Sequence, residues 1–156
     1  TLEIFKMQQT YRPLISEVLK KVNNAKTKNE KIKVLKEHDS QGLRMVIKSS
    51  FDPKIKWVFP EGPVPYRENE APEGTEHNRL ELESRKLFRF IQGGDNKTPQ
   101  FKKENLFLQM LEGLHKSEAE VVVWAKDKEL HKHFKGLSAV VVRDAFGWNE
   151  NFMRSE

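Results

Sequence analysis

The residues with the clearest potential for chemistry form a turn of Lys135, Gly136, a leucine and Ser138, just before an apolar run at 140–142. A serine in this position favours a helix N-cap, and the unpaired backbone N–H groups of a helix start can bind a phosphate. The same serine can cap a core helix that has no ligand. The turn therefore predicts a helix start, with a phosphate site as one hypothesis and a simple cap as the other.

A second candidate combines basic and aromatic residues. In the run Lys54-Ile55-Lys56-Trp57, charged and apolar side chains alternate. Such a mixture can contact phosphates through its lysines and stack its ring on sugars or bases. Alternatively, Trp57 belongs to the core and the lysines form a rim around it. Either interpretation predicts an extended segment over residues 54–59.

Three further lysines are candidates because of their place relative to a predicted helix. Thr98 and Pro99 favour a helix start, with the threonine as N-cap and the proline in the first position. Lys102 and Lys103 then lie in the first turn, where the helix dipole disfavours cations. A bound phosphate would supply the missing negative charge. Lys97 stands just before this turn and joins the candidates for nucleic-acid binding.

The sequence does not indicate a metal or catalytic site. His131 and His133 stand two residues apart, near Glu129 and downstream of His115, in a lysine-rich stretch typical of solvated side chains. Paired carboxylates occur only in a proline-rich loop, where nothing fixes their geometry for acid–base catalysis. The chain has no Gly-rich phosphate loop, nucleophile elbow or HExxH motif. We therefore expect no enzyme activity, no metal and no cofactor.

Length and composition fit one domain. The chain has 156 residues and no cysteine, which excludes a disulfide framework and a cysteine-based zinc site. No apolar run approaches about 18 residues and no signal-peptide pattern is present, so we expect no membrane contact and no export. The net charge is +5, with basic segments on both sides of an acidic insert. This distribution favours a polyanionic partner, or else a solvated lysine-rich surface.

Apolar residues at helical spacing predict an all-α fold of six or seven helices. We expect one domain over residues 13–150, an arm or helix at 1–12 and a tail at 151–156. Residues 60–75 (PEGPVPYRENEAPEGT) predict a long, acidic, Pro/Glu-rich loop, and loops of that length are usually functional or mobile. The predicted helices begin near residues 14, 27, 40, 76, 98, 117 and 138.

Several of these starts depend on capping patterns. Thr27 with Glu30, and Ser117 with Glu120, have the spacing of capping boxes, and Ser40 can cap the helix that follows it. The valine runs at 121–123 and 140–142 have high strand propensity. We predict helices there because each run follows a helix cap and tertiary packing often overrides β-branched propensity.

Two stretches, residues 14–58 and 105–147, resemble in order and spacing the N-terminal helical domain of phage-type ATP-dependent DNA ligases. The first contains TKNEKIKVL followed by a helix and SFDPKIKWV, and the second ends in KGLSAVVVRDAFG. Nearly the whole chain also resembles a group of small proteins of unknown function encoded by T4-like phages, including those of marine cyanobacteria. The second resemblance implies a phage setting and brings no activity.

The ligase resemblance implies that the chain grips duplex DNA through its backbone. Matched by position, it implicates Lys54 and Lys56, the turn at 135–138, and Arg143 one helical turn beyond. The chain has no KxDG adenylation motif, so ligase chemistry does not carry over. The acidic loop and the Gly147-Trp148 ending also depart from the ligase pattern.

Three hypotheses follow. The first is a non-enzymatic phage accessory protein that binds duplex DNA through its phosphates, without strong sequence preference, in the cytoplasm of an infected bacterium. The second is an adaptor that contacts a phage or host replication or transcription protein through the N-terminal arm and the Pro/Glu-rich loop at 60–75. The third is a small virion component. The apolar anchors available for the adaptor are Leu2, Ile4, Phe5 and Met7.

Overall fold

The computed structural model describes residues 13–72 and 77–153. The predicted N-terminal arm, with Leu2, Ile4, Phe5 and Met7, lies outside the described residues, as do the last three residues of the predicted tail. Within the described part no helix is long and apolar enough to cross a membrane.

The prediction of an all-α fold is confirmed. The described residues contain eight α-helices rather than six or seven, because two short helices of four residues each add to the longer ones. Their only β pairing consists of two isolated bridges. The helices are α1 (Ile15–Asn24), α2 (Lys28–Glu37), α3 (Gln41–Phe51), α4 (Leu80–Glu83), α5 (Gln100–Gly113), α6 (Lys116–Lys126), α7 (Leu130–His133) and α8 (Ala139–Phe146).

One apolar core holds these helices together. Helix α2 packs between α1 and α8, while α3 packs against α4 and α6. Most of each predicted apolar stripe is buried, as in α1 with Val18, Leu19 and Val22, but Met45 of α3 and Phe101 of α5 are 37% and 67% exposed. Both valine runs are helical, as predicted, with Val121 and Val142 fully buried.

Three predicted helix caps are confirmed and two are wrong. The hydroxyls of Thr27, Ser40 and Ser138 each accept a hydrogen bond from the backbone N–H three residues on. Helix α6 is instead capped by the imidazole of His115, which accepts from the N–H of Ser117, because the helix begins at residue 116. Helix α5 has Pro99 at its N-cap and no side-chain cap.

The predicted helix over residues 76–91 is much shorter than its apolar spacing indicates. Helix α4 ends at Glu83, and residues Ser84–Phe90 form a 3-10 helix, while 73–76 lie outside the described residues. A 3-10 helix has three residues per turn, so side chains at α-helical spacing no longer share a face. In the 3-10 helix Leu87 and Phe90, three residues apart, are 1% and 2% exposed, whereas Phe88 is 45% exposed.

The extended segment predicted over residues 54–59 is found only in part, because residues 53 and 54 form a turn and residues 58 and 59 bend, while Trp57 belongs to the core. Trp57 forms an antiparallel bridge with Ile91, is 8% exposed, and donates its indole N–H to the Ser49 carbonyl at 3.1 Å. Beyond it, residues 60–72 form no helix or strand. The buried ammonium of Lys126 holds the start of this stretch by donating to the carbonyls of Pro60 and Gly62, at 2.7 and 3.1 Å.

A buried carboxylate joins three helices. Glu118 of α6 is 1% exposed, and its two oxygens accept hydrogen bonds from the backbone N–H groups of Ile15 and Leu80, at 2.9 and 3.0 Å. These are the first residues of α1 and α4, where helices leave N–H groups without internal partners. Burial raises the pKa of the Glu118 carboxyl, although the two hydrogen bonds act in the opposite direction.

Candidate nucleic-acid interface

A groove on the described surface has a volume of about 800 Å³. Four parts of the chain form it: the end of α3, the extended segment after it, the turn between α6 and α7, and the start of α8. Each part contributes at least one basic or hydroxyl side chain, and every part except the turn between α6 and α7 also contributes apolar side chains. The fold therefore brings together two stretches that the sequence analysis selected separately.

Three sequence-predicted residues line this groove. Lys56 comes from the extended segment, whereas Lys135 and Ser138 come from the turn before α8. All three side chains are exposed. Among the described residues, neither lysine forms a salt bridge, although Glu61 also lines the groove. Two solvated ammonium groups thus line one concave surface.

Lys128 adds a third, partly buried cation to the groove. Its ammonium donates to the backbone carbonyl of Asp52 at 2.5 Å, and its backbone is left-handed, with φ of 60°. Burial lowers the pKa of the Lys128 ammonium, while the negative charge of Asp52 opposes the shift. Left-handed backbone in a residue other than glycine is uncommon and is often found at functional sites.

The start of α8 is less open to a phosphate than the sequence indicates. The N–H of Gly136 donates to the side-chain oxygen of Asn23 at 3.0 Å, and the N–H of Val141 donates to the Ser138 hydroxyl at 3.3 Å. Both groups therefore already have acceptors within the chain. The lysines of the groove, more than this helix start, are what can attract an anion.

The other basic candidates lie outside the groove lining. Lys54 reaches the Asn151 carbonyl at 3.4 Å, and Arg143 donates to the Ala139 carbonyl with its guanidinium 5.8 Å from the centre of a phenylalanine ring. Lys103 is only 7% exposed, and its ammonium donates to the backbone carbonyl of Asp95. This ammonium therefore has a partner within the fold. Lys97 and Lys102 are exposed near the same Asp95 loop and start of α5.

The two histidines singled out as possible metal ligands face different surroundings. The ring of His131 lines the groove, 6.1 Å from the ring of Phe51. The ring of His133 stacks on Trp124 at 3.9 Å, outside the groove. No group of three or more potential metal ligands comes together in the described part of the chain.

A family model described as "Family of unknown function (DUF6433)" matches residues 18–132. The chain belongs to this family. No curated protein and no solved structure matches it. In this DUF6433 chain the matched residues include Lys56, Lys128 and His131, whereas Lys135 and Ser138 lie just beyond the match.

Sequence reasoning missed two groove residues of the DUF6433 chain, Lys128 as a cation and His131 as a lining ring. His131 was considered only as a metal ligand. Lys128 follows the last residue of α6, Lys126, by two positions. The only sequence signal for a cation here is this pair of lysines at the end of a helix. Tertiary packing decides how far each is exposed: both line the groove, but Lys126 is 4% exposed, whereas Lys128 is only partly buried.

Proposed function

We propose that this chain binds duplex DNA through its phosphates, without strong sequence preference and without catalysis. The observation that carries the proposal is that Lys56 and Lys135, which are far apart in sequence, are both exposed on one groove. Lysines that converge from separate elements concentrate positive potential, which a net charge of +5 reinforces.

The geometry fits contacts to the DNA backbone better than base reading. Ammonium groups on flexible side chains pair with phosphates as point charges and carry no sequence information. Within the described residues, each long helix buries one face in the core. Backbone contacts would position the protein on DNA of any sequence.

The test is a salt series of fluorescence anisotropy with a short labelled duplex. We expect binding that weakens steeply as salt rises, because neutralised phosphates release counterions. The double variant Lys56→Glu/Lys135→Glu reverses both groove charges and should lose most of this binding. A matched control is Lys20→Glu/Lys116→Glu, which changes the net charge equally at two exposed lysines outside the groove lining.

Two outcomes would contradict the proposal. One is the absence of binding even at low salt, which would make the basic surface a feature of solubility alone. The other is equal weakening by both double variants. In that case the overall charge, not the groove, would account for the affinity.

The proposed setting is a phage accessory protein in the cytoplasm of an infected bacterium or in the virion. It is supported by the resemblance of nearly the whole chain to small proteins of T4-like phages. Within the acidic loop proposed for residues 60–75, the carboxylate of Glu61 lines the groove and would oppose the attraction of the lysines for phosphate. Mass spectrometry of purified virions distinguishes a packaged component from an intracellular one.

A second candidate function is an adaptor that docks on a replication or transcription protein. Phe101 favours it, because this side chain of α5 is 67% exposed. Deletion of residues 1–12 and the variant Phe101→Asp should each reduce capture of such a protein in a pull-down. Retention of full capture by both variants would count against the adaptor.

A further inference from the structure

The groove has an apolar wall that phosphate binding does not require. Phe51, Pro53, Ile55 and Phe59 all line it, beside the cations. Three of these side chains are half-buried and Pro53 is exposed, so the wall is accessible from the groove. Phosphates are strongly solvated anions and gain nothing from such a surface, whereas the faces of nucleobases do.

A paired duplex cannot use this wall. Stacked bases cover each other's faces, so a duplex presents only base edges and phosphates on a convex outer surface. The groove is concave, and its volume of about 800 Å³ is that of a pocket for a small molecule. One or two nucleotides outside a duplex match both its size and its mixture of surfaces.

The lining also contains an exposed ring on which a base can stack. His131 is exposed, and rings of histidine are among those that stack on unpaired bases. Trp57 cannot serve in this way, because it is 8% exposed and its indole N–H is bonded to the Ser49 carbonyl. The exposed imidazole therefore lies beside the wall, on the same groove as Lys56 and Lys135.

We propose that the groove holds unpaired nucleotides of a DNA single-stranded overhang, with phosphates at Lys56 and Lys135 and a base against His131. This inference rests on the proposed function and specifies which part of the DNA enters the site. The phosphates of a blunt duplex would contact the same two lysines without filling the groove. The consequence is a preference for DNA ends with an overhang over blunt ends.

The experiment compares labelled blunt duplexes with duplexes that carry a short overhang and the same total number of phosphates. Fluorescence anisotropy at fixed salt should give tighter binding to the overhang, on the order of tenfold, from the stacking of one or two bases. His131→Ala should remove most of that preference, measured as the ratio of overhang affinity to blunt-end affinity of the same variant. His133→Ala is the matched control, because this ring stacks on Trp124 outside the groove.

The outcomes separate this inference from the proposed function. Equal affinity for blunt and overhanging DNA, with binding still lost in Lys56→Glu/Lys135→Glu, would overturn the inference and leave the duplex-binding function standing. A preference that survives His131→Ala would also overturn it. Absence of binding to either DNA at low salt would remove both. Circular dichroism of both histidine variants verifies that they are folded.

Discussion

Glu118 is the residue on which the fold depends most directly. Its carboxylate satisfies the first N–H groups of α1 and α4, and all the atoms concerned are buried. A buried N–H without an acceptor retains the full cost of its lost hydration. One side chain thus fixes the starts of two helices that are distant in sequence.

We expect Glu118→Ala to destabilise the protein by about 3 kcal/mol, since it leaves two buried N–H donors unpaired. The free energy of unfolding from urea titration measures the loss. Glu120→Ala is the matched control, because this neighbouring glutamate lies on the same helix and is not buried. A similar loss in both variants would contradict the proposed importance of the Glu118 carboxylate.

The pH dependence of stability should also report on Glu118. Burial raises the pKa of this carboxyl in the folded state, so the folded protein binds more protons than the unfolded one just above the usual glutamate pKa. Its contribution to the free energy of unfolding therefore falls as pH rises through that window and is constant above the folded-state pKa. The difference in stability between wild type and Glu118→Gln, measured by urea titration at several pH values, should decrease as pH rises. An increase would contradict the direction of the shift.

At the scale of elements, local patterns predicted which segments are helical better than how the helices begin. Thr27, Ser40 and Ser138 cap as expected, because a hydroxyl reaching the N–H three residues on needs only local geometry. Helix α6 begins one residue earlier than predicted, because His115 caps it and the Ser117 hydroxyl bonds to that imidazole and to the hydroxyl of Ser16, which is distant in sequence. The sequence also did not predict the 3-10 helix at Ser84–Phe90. Its apolar residues are compatible with an α-helix, and only tertiary packing decides which of them are buried.

Close packing of α3 on α4 gives a prediction for Gly42. A β-carbon at this position would lie 2.6 Å from the carbonyl oxygen of Glu81, and that backbone atom cannot move as a side chain can. Gly42→Ala gains about 1 kcal/mol of helix propensity. We expect the clash to exceed this gain and to give a net loss of about 1–2 kcal/mol.

Thermal unfolding followed by circular dichroism measures the effect of Gly42→Ala. Gly113→Ala is a suitable comparison, because its new β-carbon would meet the side-chain nitrogen of Asn78, which can rotate away. We expect Gly113→Ala to be close to neutral. A stabilised Gly42→Ala variant would mean that α3 and α4 separate easily.

At the scale of the whole molecule, the groove could be predicted only in part. The sequence identified Lys56, Lys135 and Ser138 from their local surroundings. It could not show that they share one groove, because the packing of α3, α6 and α8 creates that surface. The burial of Lys103 was equally out of reach, since it depends on a carbonyl in the loop before α5.

The first and last helical segments are joined across the molecule. Helix α8 packs on α2, the Lys28 ammonium lies 3.0 Å from the Asp144 carboxylate, and the Gly136 N–H bonds to Asn23. The salt bridge is half-exposed and contributes little, so burial of apolar side chains carries this contact. The family match ends at residue 132, before α8 begins.

We therefore expect a chain ending at residue 132 to lose cooperative folding. Val141, Val142 and Phe146 are buried and contribute about 2 kcal/mol each, or about 6 kcal/mol together. Domains are stable by only about 5–15 kcal/mol in total, so this loss removes much or all of the stability. Thermal unfolding by circular dichroism should show a broad change in place of a sharp transition. A chain ending at residue 153 is the control, and a sharp transition in both chains would mean that the matched segment folds without α8.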